Sequence, residues 1–314
     1  MAPTFLIIGA TGNTGRSTVS TLSNLIQQNP SYAQHRILAL TRSASSPVAQ
    51  HLATLPRVDV IEKAWAEITP GWLREHAVER AFVASHLQPS HFAEETTFLV
   101  AALAAGVRYV VRVSTTASNV RPDTPVYYAR MHWAVEAMLS TPAFAALKWT
   151  ALQPNAFTPL YLWTAADFVK QVRDTGKQPG PLKLMAAEDV PVAPVHPDDI
   201  GEIAAHLLAD ENFAAHDQAR YVLNGPADID GKYILELVEE AIGAKVDDVV
   251  YKDMSLVEGM IAASSESPNV IGSIRYAQDT SWEGKATAST TSEEVRRMGL
   301  LRRTVAETFK TLIQ

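Results

Sequence analysis

Short runs of consecutive apolar residues punctuate the first two-thirds of the chain and alternate with segments whose apolar positions recur every three or four residues. The runs fall at residues 5–8, 37–40, 58–61, 81–84, 109–113, 149–152 and 221–223. Most are too continuous for strands with one wet face, which predicts strands covered on both sides, as in parallel sheets. Between them, Val19, Leu22 and Ile26 keep helical spacing after Thr14, and Phe92, Leu99 and Leu103 do so before Gly106, which is placed to cap a helix C-terminus. Strand and helix in alternation predict an α/β fold with a Rossmann-type, doubly wound parallel sheet.

The pattern changes near residue 154. Pro154, Pro159, Pro179, Pro181, Pro191, Pro194 and Pro197 interrupt it, leaving room for a helix over 160–173. A helix over 198–208 and the strand at 221–223 bring the chain back to the sheet, and a mixed segment follows. The expected organisation is a Rossmann-type domain over 1–154, also using about 196–224, and a smaller mixed α/β C-terminal region over 155–314.

With 314 residues the chain can bury a large core without staples, and it has no cysteine, which excludes disulfides, thiol nucleophiles and cysteine metal sites. Lys and Arg number 27 against 34 Asp and Glu, a net charge of −7 with no basic run. That balance disfavours a nucleic-acid duplex or an anionic membrane as partner. The apolar stretch near the N-terminus is too short for a signal segment and no window approaches a membrane span, so a cytoplasmic protein with a small-molecule substrate is expected. The sequence leaves the oligomeric state open.

The chemistry begins at GATGNTG, residues 9–15, between the first strand and the first helix. Glycines there permit a tight turn and close approach of backbone to a pyrophosphate, while the helix N-terminus offers unpaired N–H groups and a favourable dipole. Gly9, Thr11, Gly12, Asn13, Thr14 and Gly15, with Arg16, are therefore candidate dinucleotide contacts. The second strand leads into Arg42 where an NAD-selective site would carry an acidic residue, and a guanidinium suits a 2′-phosphate, so NADP(H) is the expected cofactor. Ser85 and His86 follow the fourth strand, over the expected adenosine or pyrophosphate. His86 and His91 are too loosely spaced to claim a metal, and none is expected.

GATGNTGR, TR after the second strand, AALAAGVRYVVRVS, WTALQPNAF and VHPDDIGE together resemble the NmrA-like branch of the atypical short-chain dehydrogenase/reductase superfamily, well over about 4–210 and loosely beyond. The resemblance implies an extended Rossmann fold, NADP(H) along the strand C-termini and a small region closing over the nicotinamide. Activity varies within the branch: some members reduce quinones, imines or enones, some sense the NADPH/NADP+ ratio, and some fungal members serve alkaloid pathways, including non-redox ring closure. The superfamily's reductive site is a Ser or Thr with YxxxK. Here Tyr128 occupies the tyrosine position, but the motif reads YxxxH, with His132 for the lysine and Glu136 four residues on. No lysine lies between Lys63 and Lys148, and no nearby residue replaces it locally, although Arg130 could contribute charge.

On a helix beginning near Val126, Tyr128 and His132 share a face, where His132 could contact ribose or relay a proton. Ser114, Thr115 and Thr116 follow the fifth strand, and which hydroxyl faces the nicotinamide is left open. By the same resemblance, the segment of Gln153, Pro154, Asn155, Ala156 and Phe157 lies against the nicotinamide carboxamide. Tyr128, His132, Ser114 and Thr116 are thus the candidate catalytic groups, and Ser85, Pro154, Asn155 and Phe157 join the cofactor contacts. The expected function is NADP(H)-dependent reduction of a small apolar or aromatic imine, enone or carbonyl in specialised metabolism, with Phe157, Tyr161 and Trp163 as apolar walls. The alternatives are a non-redox cyclase of Pictet–Spengler type in alkaloid assembly and a cofactor sensor without turnover.

Overall fold

The computed structural model describes residues 2–314. Its strands are β1 (Thr4–Ile8), β2 (Arg36–Thr41), β3 (Val58–Glu62), β4 (Val78–Val83), β5 (Tyr109–Val113), β6 (Lys148–Pro154), β7 (Leu182–Leu184), β8 (Ala219–Leu223) and β9 (Val249–Tyr251). Seven form one sheet in the order β3-β2-β1-β4-β5-β6-β8, and the pairs from β3 through β6 are parallel. All seven anticipated strands are present. The chain moves outward one way through β1, β2 and β3 and the other way through β4, β5 and β6. The strand order therefore reverses between β1 and β4, the switch point at which open α/β sheets form a crevice.

Among the described residues, nine helices connect and flank the strands up to residue 242: α1 (Gly15–Gln28), α2 (Pro47–Leu52), α3 (Pro70–Glu75), α4 (His91–Ala105), α5 (Tyr127–Leu139), α6 (Thr158–Tyr161), α7 (Trp163–Thr175), α8 (Pro197–Ala209) and α9 (Gly231–Ile242). Gly106 ends α4 at φ +83°, with its N–H on the carbonyls of Ala102 and Leu103, as its position in the sequence suggested. The helix expected over 160–173 is divided at Leu162, which caps α6 and opens α7. Pro197 starts α8 at the position where a missing N–H costs nothing. No helix among the described residues is long and apolar enough to cross a membrane.

The chain divides into two compact units. The first comprises residues 1–115, 131–153 and 197–221, and the second 116–130, 154–196 and 222–314. Segment 116–130, expected within the Rossmann domain, thus clusters with the second unit. In the first, Leu6, Ile8, Leu38 and Trp149 of the sheet pack with Phe98 and Leu99 of α4 and with Val135 and Leu139. In the second, Phe168 and Val169 of α7 pack with Leu182, Leu184, Ile234, Val238 and Phe309. Its small sheet pairs β7 with β9 in parallel, an element the periodicity did not announce because each strand is three residues long.

Candidate active site

The switch point carries the glycine loop. Gly9 leaves β1 at φ +78°, and a Cβ there would lie 2.7 Å from the Ala84 carbonyl oxygen at the end of β4. A Cβ on Gly15 would lie 2.0 Å from the Gly9 carbonyl oxygen, so only a glycine lets α1 start this close beneath the turn. Gly12 and Asn13 form the exposed crest, and the Thr14 side chain caps none of the first-turn N–H groups of α1. The result is a cradle of backbone open to an anion at a positive helix end. The same turn is tied to β2, since Ala10 N–H donates to the Leu40 carbonyl at 3.3 Å and Thr11 Oγ1 lies 3.4 Å from Thr41 Oγ1. Arg42 follows immediately, exposed and with no ion pair among the described residues. Arg16 is partly engaged, its Nε 3.4 Å from Asp198 of α8.

Helix α8 packs on α1 through Gly201, where a Cβ would meet the Thr14 carbonyl oxygen at 2.4 Å. Ser17 Oγ adds a bond to the Asp198 carbonyl at 2.8 Å. The glycine of VHPDDIGE therefore seats α8 against the loop that begins α1.

Beyond the C-terminal ends of β4 and β5 lies a buried polar network that the sequence did not reveal. Arg112, in the middle of an otherwise apolar strand, is fully buried and donates from Nε and Nη2 to Glu95 of α4 at 2.6 and 3.1 Å. The same Nη2 donates to His132 Nδ1 at 2.8 Å, and Nη1 reaches Glu136 at 3.4 Å. Glu136 also accepts from Ser114 Oγ at 2.6 Å, Gln153 Nε2 at 3.1 Å and Arg220 Nε at 2.9 Å. His91 Nε2 contacts Glu95 and lies 2.9 Å from Ser85 Oγ. The network thus connects Ser85, after β4, to Ser114, after β5.

Its electrostatics follow from burial and pairing. Burial acts to raise the Glu95 carboxyl, but Arg112 and His91 outweigh it and hold the group below the usual carboxylate range. Burial first, then Arg112 and His91, push the His132 imidazole well below its ordinary value against the pull of Glu95. Because Arg112 donates to Nδ1, His132 is neutral with its proton on Nε2. The cation that meets the position where the motif lacks its lysine is therefore Arg112, twenty residues upstream. Arg130, the sequence's local candidate, instead donates to the carbonyls of Thr124 and Pro125 at 2.6 and 2.8 Å. The signal available in the sequence was a lone arginine inside YVVRV, since a charge in a buried strand demands a partner.

His86 and His91 do not come together as ligands; His86 Nε2 lies 2.9 Å from Glu94. His91, Glu95 and His132 do place three ligand atoms within 4.8 Å of one another. Arg112 already bonds two of those three side chains, so the positive charge in this cluster is a guanidinium.

In the second unit, Tyr128 is half-buried near the start of α5, its ring edge-on to Tyr127. Thr116 Oγ1 lies 3.4 Å from the Pro154 carbonyl oxygen. Asn155 is buried, with both amide hydrogens used on the carbonyls of Ala193 and Ala286 at 2.8 and 3.0 Å, and its Oδ1 accepts from Ala156 N–H. Both amide hydrogens of Asn155 are thus spent within the fold. Phe157 bridges Val195, Tyr161 is buried and Trp163 is exposed.

Comparison with known proteins places this geometry. The NmrA-like family model matches residues 1–290. Among solved structures, an NADPH-dependent quinone oxidoreductase from Escherichia coli, complexed with NADPH, is 21% identical with TM-score 0.72, over 99% of this chain and 100% of that one. Citrobacter sp. triphenylmethane reductase, complexed with NADP(H), is 20% identical with TM-score 0.70, over 98% and 99%. An isoflavone reductase is 17% identical with TM-score 0.68, over 99% of each chain. No curated protein sequence gives a significant match. At these identities the structures establish a shared fold, and the family model, which spans most of the chain, establishes that this protein belongs to the NmrA-like family.

Proposed function

We propose that the protein is an NADP(H)-dependent reductase acting on a small apolar or aromatic imine, enone or carbonyl. The observation that carries this reading is the cradle at Gly9–Gly15 with Arg42 beside it: a backbone turn with no room for a Cβ at Gly9 or Gly15, an uncapped helix N-terminus and an exposed guanidinium. These fit a pyrophosphate and a 2′-phosphate. When bound, the cofactor would supply hydride from the nicotinamide C4. The residues supply the rest. Loop N–H groups hold the pyrophosphate and Arg42 the 2′-phosphate, Ser85 lies over the adenosine or pyrophosphate, and a hydroxyl of Ser114 or Thr116 borders the reacting end. Tyr128 is the proton-transfer group, and Phe157 and Trp163 supply apolar contact. Two structural neighbours carry NADPH or NADP(H) and are named for quinone and triphenylmethane reduction, which supports the same chemistry here.

The test is calorimetric titration of NADPH and NADH, followed by NADPH oxidation with a quinone, an enone and a cyclic imine. NADPH is expected to bind about tenfold tighter than NADH, or ~1.4 kcal/mol, and Arg42→Ala to remove that margin. Equal affinities would sink the assignment of Arg42. Product formed from an amine and an aldehyde without NADPH oxidation would favour the cyclase, and cofactor binding with no turnover the sensor.

A further inference from the structure

The Ser114 hydroxyl has one hydrogen, and the fold has already committed it. Ser114 Oγ donates to Glu136 at 2.6 Å, and Glu136, a carboxylate held between Arg112 and Arg220, can only accept. What remains on Ser114 Oγ is lone pairs. A carbonyl or quinone oxygen facing Ser114 finds no donor there, whereas an N–H finds an acceptor.

The surrounding charge points the same way. The ion pairs behind Ser114 join the buried Glu95, Glu136 and Arg112, with the exposed Arg220 on the outer side of Glu136, and His132, which accepts from Arg112, adds no positive charge. A lysine in place of His132 would add a positive charge behind this hydroxyl and repel a cationic substrate. Here that excess is absent.

We propose that Ser114 is a specificity-determining acceptor that selects a protonated imine, taking the iminium N–H as its hydrogen-bond donor. This rests on the reductase reading and narrows its substrate class. In the step it describes, hydride adds to the iminium carbon, the C=N π pair becomes the nitrogen lone pair, and NADPH leaves as NADP+. The iminium already carries its proton, so the neutral amine forms without a proton from the enzyme.

The experiment uses the full chain saturated with NADP+ and two cations of matched shape, protonated dihydroisoquinoline and its N-methyl derivative, titrated by calorimetry. Wild type is expected to bind the N–H cation about tenfold tighter. Ser114→Ala, with its fold checked by circular dichroism, should weaken the N–H cation about tenfold and leave the N-methyl cation within about twofold. Were the preference steric, the alanine would instead tighten the N-methyl cation, and that result overturns the proposal. Equal binding of the two cations by wild type, or no binding of the N–H cation, also overturns it while leaving the reductase reading intact. Failure to load NADP+ in the first titration overturns both. Reduction of a quinone by NADPH with no binding of either cation would show a working reductase whose Ser114 does not select iminium.

Discussion

Arg112 and His132 show how one buried contact sets the chemistry of a position. An imidazole that accepts from a guanidinium and is shut off from water stays neutral, because charging it would place two cations 2.8 Å apart in a medium that screens poorly. A histidine whose folded pKa lies below its unfolded one binds a proton more readily when unfolded. Stability is therefore whole above about pH 6.5 and falls as pH drops through the window below it, by at most ~1.4 kcal/mol per pH unit for this group. Chemical denaturation between pH 7 and 5 should show that slope in wild type and lose it in His132→Gln. A slope unchanged in the variant would assign the acid sensitivity elsewhere. His132→Lys, which would restore the family motif, is expected to destabilise the fold by roughly 3 kcal/mol or more, because the ammonium would meet Arg112 instead of a ribose. Tyr128 carries a separate expectation. As the proton-transfer group for a carbonyl or enone substrate, Tyr128→Phe should lower turnover by about 10² to 10⁴ with NADP(H) affinity nearly unchanged. For an iminium, which arrives protonated, the loss should be much smaller. Comparing the variant on an imine and a quinone tests both statements.

At the scale of elements, three glycines of one loop do different work. Gly9 supplies a left-handed residue, Gly15 lets α1 begin against the turn, and Gly12 lies on the open crest, where its only close neighbour would be the Gly9 carbonyl oxygen at 3.2 Å. Substitutions should separate accordingly. Gly15→Ala forces a Cβ onto backbone that cannot retreat and should cost about 3 kcal/mol of stability. Gly12→Val should leave the far-ultraviolet dichroism and melting temperature close to wild type while abolishing NADPH binding, because its branched side chain fills space needed by the pyrophosphate. If both variants fold and bind, the cofactor lies elsewhere. Gly201 extends the logic to a helix pair, since α8 reaches the first turn of α1 only because it carries no side chain there.

Over the whole molecule, the course of the chain decides what can be separated. Each unit is assembled from three stretches of sequence, and the first is completed by α8, whose buried face includes Ile200, Ile203, Ala204, Leu207 and Leu208. A fragment ending at residue 154 lacks that helix and leaves its partner face on α1 bare, including the seat of Gly201. It should be insoluble or molten by near-ultraviolet dichroism, whereas the full chain unfolds cooperatively and gains stability from NADP(H) as RT ln(1 + [L]/Kd). A stable, NADPH-binding 1–154 fragment would show that α8 is dispensable.

Local pattern sufficed wherever a physical rule acts over a few residues. Continuous apolar runs specified seven strands of one sheet, GATGNTG specified the turn between β1 and α1, and Gly106 specified the end of α4, because burial on two faces, positive φ and helix capping each leave a short signature. The missing lysine was equally visible at His132. What the sequence could not supply was partnership at a distance. Arg112 meets His132 across 20 residues, Glu136 meets Arg220 across 84, and Asn155 spends its amide on Ala286 131 residues away. A buried charge requires a partner but does not say which one. Only the folded chain, by packing α4 and α5 together against β5, decides that the cation belongs to Arg112 and that the Ser114 hydroxyl points its proton inward.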